Sequence, residues 1–319
     1  MTKVAKVSAA AILAFAVPVT PAAAADIVIG VPNWPSVRVT ANILKVVIED
    51  NLGYEVELQN GTNPIVFEAM DSGSMDVHPE VWLPNQQNLA DKFVEEKGTV
   101  RISENSVAAF QGICADKATA EKHDITSIYD LTRPDVAALI DEDGDGQGEL
   151  WIGVPGWAST NVEQIRAKSY GYDQTMELTQ SDETLAYAKL DNAIKAGEPW
   201  IGFCYGPHYI FALHDLVVLD EPVHDPAKWN VTQPTDDPNW LEISEAPVAW
   251  PRIDIHMAYA ASLEQDFPTV ADMLSRIPFT TDQLSEMTYA LVVEDRDAQD
   301  YARAWVAENE DVVLGWLAE

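Results

Sequence analysis

The chain has 319 residues and a formal net charge of −33 at pH 7, from 52 acidic against 19 basic side chains. That balance excludes nucleic-acid binding on Coulomb grounds, because phosphate contact needs clustered Lys and Arg. A hydrophobic fraction of 47% excludes global disorder and leaves ample core for one or two domains.

Residues 1–25 read as a secretory signal. Lys3 and Lys6 form a basic start, Ala9–Val17 an apolar stretch, and Ala22–Ala25 a small-residue cleavage zone. The stretch falls short of the ~20 residues that span a bilayer, so export with cleavage near Ala25 is expected rather than anchoring. Strong acidity suits an exported, soluble protein. Screening over about 8–10 Å leaves little long-range steering of cationic ligands.

The rest alternates strand and helix, which predicts an α/β fold of parallel or mixed sheets with helices on both faces. Strand Ile27–Val31 leads into helix Val37–Asn51, with Ser36 as N-cap. Val56–Gln59 is a strand, Pro64–Met70 a helix, Met75–Val77 a strand and Asn85–Glu96 a helix. Val107–Cys114 begins a second block, with helices near Ser127–Leu131, Asn161–Ser169 and Thr184–Ala196. Its strands fall near Ile152–Val154, Trp200–Phe203 and Leu216–Leu219. Asp220–Pro251, rich in Pro, Asp and Trp, reads as an irregular excursion. Strand Ile253–Ala261 follows, then helices Pro268–Arg276, Thr281–Glu294 and Asp297–Asn309. Two lobes are expected, residues 26–109 with 217–319 and an inserted 110–216, hinged as a clamshell.

Four apolar runs end at an aromatic boxed in by Pro or Gly: Trp34, Trp82, Trp157 and Tyr205. Ligands of open α/β sheets bind at the carboxyl ends of strands, so these rings point to one crevice. Several ring faces around a void suit a quaternary ammonium group. Glu80, two residues from Trp82, is a candidate partner for a cation or a ligand hydroxyl. The backbone N–H groups of Ser159 and Thr160, at a helix start, are candidates for an anionic end. Trp250 is a weaker cage candidate, and Trp151, Trp200, Trp305 and Trp316 read as core.

Asp141, Asp143, Asp145, Gln147 and Glu149 place oxygens at alternate positions of a Gly-containing loop, as an EF-hand loop begins. The glutamate expected at the twelfth position is replaced by Ile152. A structural calcium ion, completed by a remote ligand, is the expectation, and a solvated acidic turn the alternative. Cys114 and Cys204 lie in apolar strand-like runs and either bridge or stay as buried thiols. Hydrolase, zinc-protease and P-loop signatures are missing, so no enzyme is expected.

The stretches Asp26–Gly30 through Ser36, Asp76–Trp82, Gly153–Trp157 and Tyr205–His208 resemble the substrate-binding proteins of glycine betaine, proline betaine and choline ABC importers. The resemblance covers nearly the whole chain after the signal. It implies a two-lobed periplasmic binding protein of the type II clamshell kind, an aromatic cage for a trimethylammonium group, and a partner permease in the inner membrane. Tyr205 departs from the Trp that members often carry there, and the Asp141–Glu149 loop is not a general feature of the family. With that loop and its acidity, the chain most resembles members that bind trimethylamine N-oxide. Glycine betaine, choline and dimethylsulfoniopropionate are the alternative ligands. A secreted carbohydrate-active hydrolase, with stacking Trp and paired carboxylates, is the rival from another class. A monomer is expected.

Overall fold

A computed structural model describes residues 25–318. Residues 1–24, which hold most of the expected export signal, lie outside the described residues. Among the described residues no helix is long and apolar enough to cross a membrane.

The first half runs β1 (Ile27–Val31), α1 (Pro35–Val47), β2 (Val56–Asn60), α2 (Asn63–Ser72), β3 (Val77–Leu83) and α3 (Gln87–Ala90). β1 pairs in parallel with β2 and β3. α1 starts two residues earlier than its Ser36 cap predicts, because Pro35 fits the first helical turn and Trp34 takes the N-cap position. Val37, Val39, Ile43, Leu44 and Val47 bury it on nearly every side, between the sheet and two C-terminal helices.

β4 (Val100–Asp116) leads into α4 (Lys117–His123), α5 (Pro134–Ala137), β5 (Gly148–Trp151), α6 (Ala158–Tyr170), β6 (Met176–Thr179) and α7 (Glu183–Ala196). β7 (Ile201–Gly206), α8 (Ile210–Leu213), β8 (Leu216–Val218), the short α9 (Trp240–Ile243) and β9 (Ile253–Ala260) follow. α10 (Leu263–Asp266), α11 (Pro268–Arg276), α12 (Thr281–Val292), α13 (Ala298–Glu308) and α14 (Glu310–Leu317) close the chain. The sheet order is β2-β1-β3-β9-β4-β7-β5-β6, with β8 also on β4. β9 and β4 run antiparallel to their neighbours, so the sheet is mixed.

β4 joins two α/β halves. Its pairing with β9 ends at Ala109 and its pairing with β7 begins at Phe110. The expected return to the first half at residue 217 is displaced to β9. β8 pairs with the second-half end of β4, Arg166 of α6 donates to the Val248 carbonyl, and Ala246 N–H donates to Ser169. The Pro-rich excursion therefore lies on the second half. A buried ion cluster secures it, Arg166 standing 3.0 Å from Glu163 and 2.5 Å from Glu221. Cys114 and Cys204 form a disulfide between β4 and β7, both side chains fully buried.

Candidate functional site

A pocket between the halves is lined by Trp34, Trp82, Trp157 and Tyr205. Trp34 meets Trp157 at 85°, Trp157 meets Tyr205 at 87° and Tyr205 meets Trp82 at 84°. Each of these three steps turns by nearly a right angle, so the four rings form the walls of a box. Trp34 caps α1 and Trp157 caps α6, each in an extended conformation that turns its ring out of the helix. Trp82 and Tyr205 sit inside β3 and β7 rather than in loops after them. β3 continues through Pro79 because an irregularity between His78 and Val81 interrupts the ladder with β9 there. Trp157 also ties the halves together, its indole N–H donating to the Asn33 carbonyl at 3.1 Å.

Glu80 does not line the pocket. Its Oε2 accepts from the Trp34 indole N–H and the Ser36 hydroxyl, both at 2.7 Å, and Thr40 lies 3.1 Å from Oε1. It stands behind the Trp34 ring, where the hydrogen-bonding groups of α1's N-cap and first two turns consume its oxygens. Burial pushes its carboxyl above the usual glutamate range, opposed by Trp34, Ser36, Thr40 and Trp82. Ser159 lines the pocket, together with Ala158. Thr160 does not; its hydroxyl donates to the Val154 carbonyl at 2.8 Å. That bond requires Gly153, since a Cβ there would fall 2.3 Å from the Thr160 hydroxyl. Trp250 lies away from the box, its N–H donating to Glu163 at 2.7 Å.

Sequence reasoning missed an amide wall of Asn63, Asn85, Gln86 and Gln111. Amides carry no motif; only the Pro84-Asn85-Gln86 continuation of the Trp82 stretch gave a local signal. Asn63 has a fixed orientation. His78 Nδ1 accepts the Glu80 N–H at 3.3 Å, so the proton of this neutral ring sits on Nε2 and is donated to Asn63 Oδ1 at 2.9 Å. Burial drives His78 down to about 3, which keeps it neutral. The Asn63 NH2 is thereby left for the pocket. Asn85 donates to Gln111 at 3.0 Å. Asn85 Oδ1 and Gln86 Oε1 are buried without a hydrogen-bond partner among the described residues. No Lys or Arg is among the residues lining the box.

A second, larger cavity shares Asn63, Gln86 and Ala158 with the box and opens past Asn161 and Gln233. Across it, Asn88 of α3 donates to Thr235 at 3.1 Å and to Asp236 at 3.0 Å. Asn161 of α6 holds Gln233 at 2.9 Å.

Of the loop acids, Asp141, Asp143 and Glu149 bring carboxylate oxygens within 4.8 Å of one another. Asp145 stands outside that group and accepts the Gln147 N–H at 2.8 Å. Asp141 accepts from Gly144 and Gly146, and Glu149 from Glu142 and Asp143. These bonds curl the loop around its acids. β5 begins at Gly148, inside this loop, four residues earlier than the expected strand at Ile152.

Residues 25–308 match the family model described as the substrate binding domain of ABC-type glycine betaine transport systems. The glycine betaine/proline betaine-binding periplasmic protein of Salmonella typhimurium is 23% identical over 85% of this chain and 82% of its own length. The trimethylamine N-oxide-binding protein of Pelagibacter ubique is 22% identical over 90% of this chain and 88% of its own. An ABC-transporter choline binding protein solved with choline shares the fold, with a TM-score of 0.71 and 18% identity over 91% of both chains.

Proposed function

We propose that this chain, which belongs to the family of substrate binding domains of ABC-type glycine betaine transport systems, captures a small trimethylated amine in the periplasm and delivers it to a membrane permease. It is a binding component of an importer and not an enzyme. One observation carries the reading: four aromatic walls set at nearly right angles around a single pocket. A desolvated cation gains about 2 kcal/mol over one ring face, and a methylated ammonium offers a methyl surface to each wall. All four rings come from one chain, so a monomer completes the box.

Trimethylamine N-oxide is the favoured ligand. A lone N-oxide oxygen suits the fixed Asn63 donor and the first N–H groups of α6, where Ala158 and Ser159 line the pocket. A carboxylate would find no Lys or Arg there and would face the bare oxygens of Asn85 and Gln86. Choline is the second reading, because its hydroxyl would donate to one of those two oxygens. Calorimetry against trimethylamine N-oxide, choline, glycine betaine and dimethylsulfoniopropionate tests the ordering. Trp157→Ala should weaken the favoured ligand by about 1–2 kcal/mol with the fold intact. Glycine betaine binding tenfold tighter than the N-oxide and choline would reverse the ordering, and no binding by any of them would remove the reading.

The Asp141–Glu149 loop is proposed to hold a structural calcium ion through Asp141, Asp143 and Glu149, whose oxygen-only donor set suits a hard cation.

A further inference from the structure

The acidic side chains buried among the described residues are Glu80, Asp116, Glu163 and Glu183. A buried carboxylate is costly unless a cation or several hydrogen bonds hold it. Glu163 has Arg166 at 3.0 Å. Asp116 accepts two backbone N–H groups, from Thr119 and Trp200. Glu80 and Glu183 are held by hydrogen bonds from side chains, with no Lys or Arg within ion-pair distance among the described residues. The basic neighbour of Glu183 is His208, with Nε2 at 2.7 Å and Nδ1 accepting the Ile210 N–H.

What these two acids share is the box. Glu80, on β3 of the first half, accepts the Trp34 indole N–H at 2.7 Å. Glu183, at the start of α7 in the second half, accepts the Tyr205 hydroxyl at 2.7 Å. Each carboxylate stands behind a wall, one on either side of the cleft. A carboxylate accepting a ring's polar hydrogen makes the ring face more negative. The low dielectric of the interior extends the pull of the charge itself into the pocket.

We propose that Glu80 and Glu183 are the missing counter-charges for the ligand's cation, positioning residues that act through Trp34 and Tyr205. The box then selects a permanent ammonium charge and not merely a methylated shape, and each half contributes one negative charge that only closure brings to bear. This rests on the methylated-amine reading of the pocket.

Tetramethylammonium tests it, since it carries the charge and the methyls without a polar end. Glu80→Gln keeps the bonds to Trp34, Ser36 and Thr40: the amide oxygen accepts from Trp34 and Ser36, and its NH2 donates to Thr40, whose own proton goes to the Val37 carbonyl. Glu183→Gln keeps an acceptor for Tyr205. By calorimetry each variant should bind tetramethylammonium about tenfold more weakly than wild type. The melting temperature of the unliganded protein should stay level or rise, because an uncompensated buried charge has been removed. A merely structural role predicts that affinity and melting temperature fall together, and that result would overturn the proposal. So would affinities within twofold of wild type in both variants; a loss in one variant alone removes the other residue from the pair. Wild-type protein that fails to bind tetramethylammonium would overturn the methylated-amine reading and this inference with it. Wild-type binding with unaffected variants would overturn this inference alone.

Discussion

Glu80 and His78 sit two residues apart on β3, and burial moves them in opposite directions for one reason. Each loses its charged form to a low-dielectric site, so the carboxyl goes up and the imidazole goes down to about 3. For Glu80 the unfolded chain ionises first, near the ordinary value of 4.5. Stability therefore falls as pH rises above that value, until the folded carboxyl has ionised as well. A cationic ligand reverses the preference by favouring the charged form. The wild type measured against Glu80→Gln, which leaves the His78 contribution common to both, should lose unliganded stability as pH rises above 4.5. Its affinity for tetramethylammonium should increase over the same interval. Melting curves and calorimetry across pH check both signs, and parallel profiles for the two proteins would show that Glu80 does not titrate with binding.

At the level of single elements, the helix starts do most to shape the pocket. α1 and α6 begin directly after Trp34 and Trp157, and α2 begins at Asn63. Each start brings its first side chains and free N–H groups to the cleft. The loop Asp141–Glu149 leads through β5 to Gly153 and the cap of α6, so its order bears on where Trp157 stands. An ion bound only by the folded protein stabilises it by mass action. A chelator should lower the melting temperature, calcium should restore it, and Asp143→Ala should abolish the response. A chelator-insensitive melt would leave an acidic turn held by its backbone hydrogen bonds.

In the whole molecule, the excursion of residues 220–251 bridges the cleft. It is bound to α6 through Arg166, Lys168 and Asn161, and it reaches the first half at Asn88. Those last two bonds span the opening beside the box without touching its walls. They are solvent-exposed, so together they contribute about 1 kcal/mol. Asn88→Ala should therefore speed ligand release several-fold with little change in the association rate. Stopped-flow tryptophan fluorescence separates the two rates, and an unchanged release rate would mean that the bridge does not limit opening.

The α/β class, the family and the four box rings can be read along the chain, because each of these is written in short-range chemistry. Strand-forming runs, Pro or Gly beside an aromatic, and helix starts are legible within a few residues of one another. Helix α11, Pro268–Arg276, reads to the residue for the same reason, with Pro at its start and amphipathic spacing along it. What surrounds the rings is set by long-range packing. Glu80 reads as a pocket acid beside Trp82, yet Trp34, Ser36 and Thr40, more than 39 positions away, take up its oxygens. Glu183 gains its meaning from Tyr205, 22 positions on, and Asn63 from His78. Which half holds the excursion depended on Arg166 meeting Val248 across 82 positions. A ring's place at a strand end follows from local backbone preference, whereas the partner of a buried polar group is fixed by whichever distant segment packs beside it.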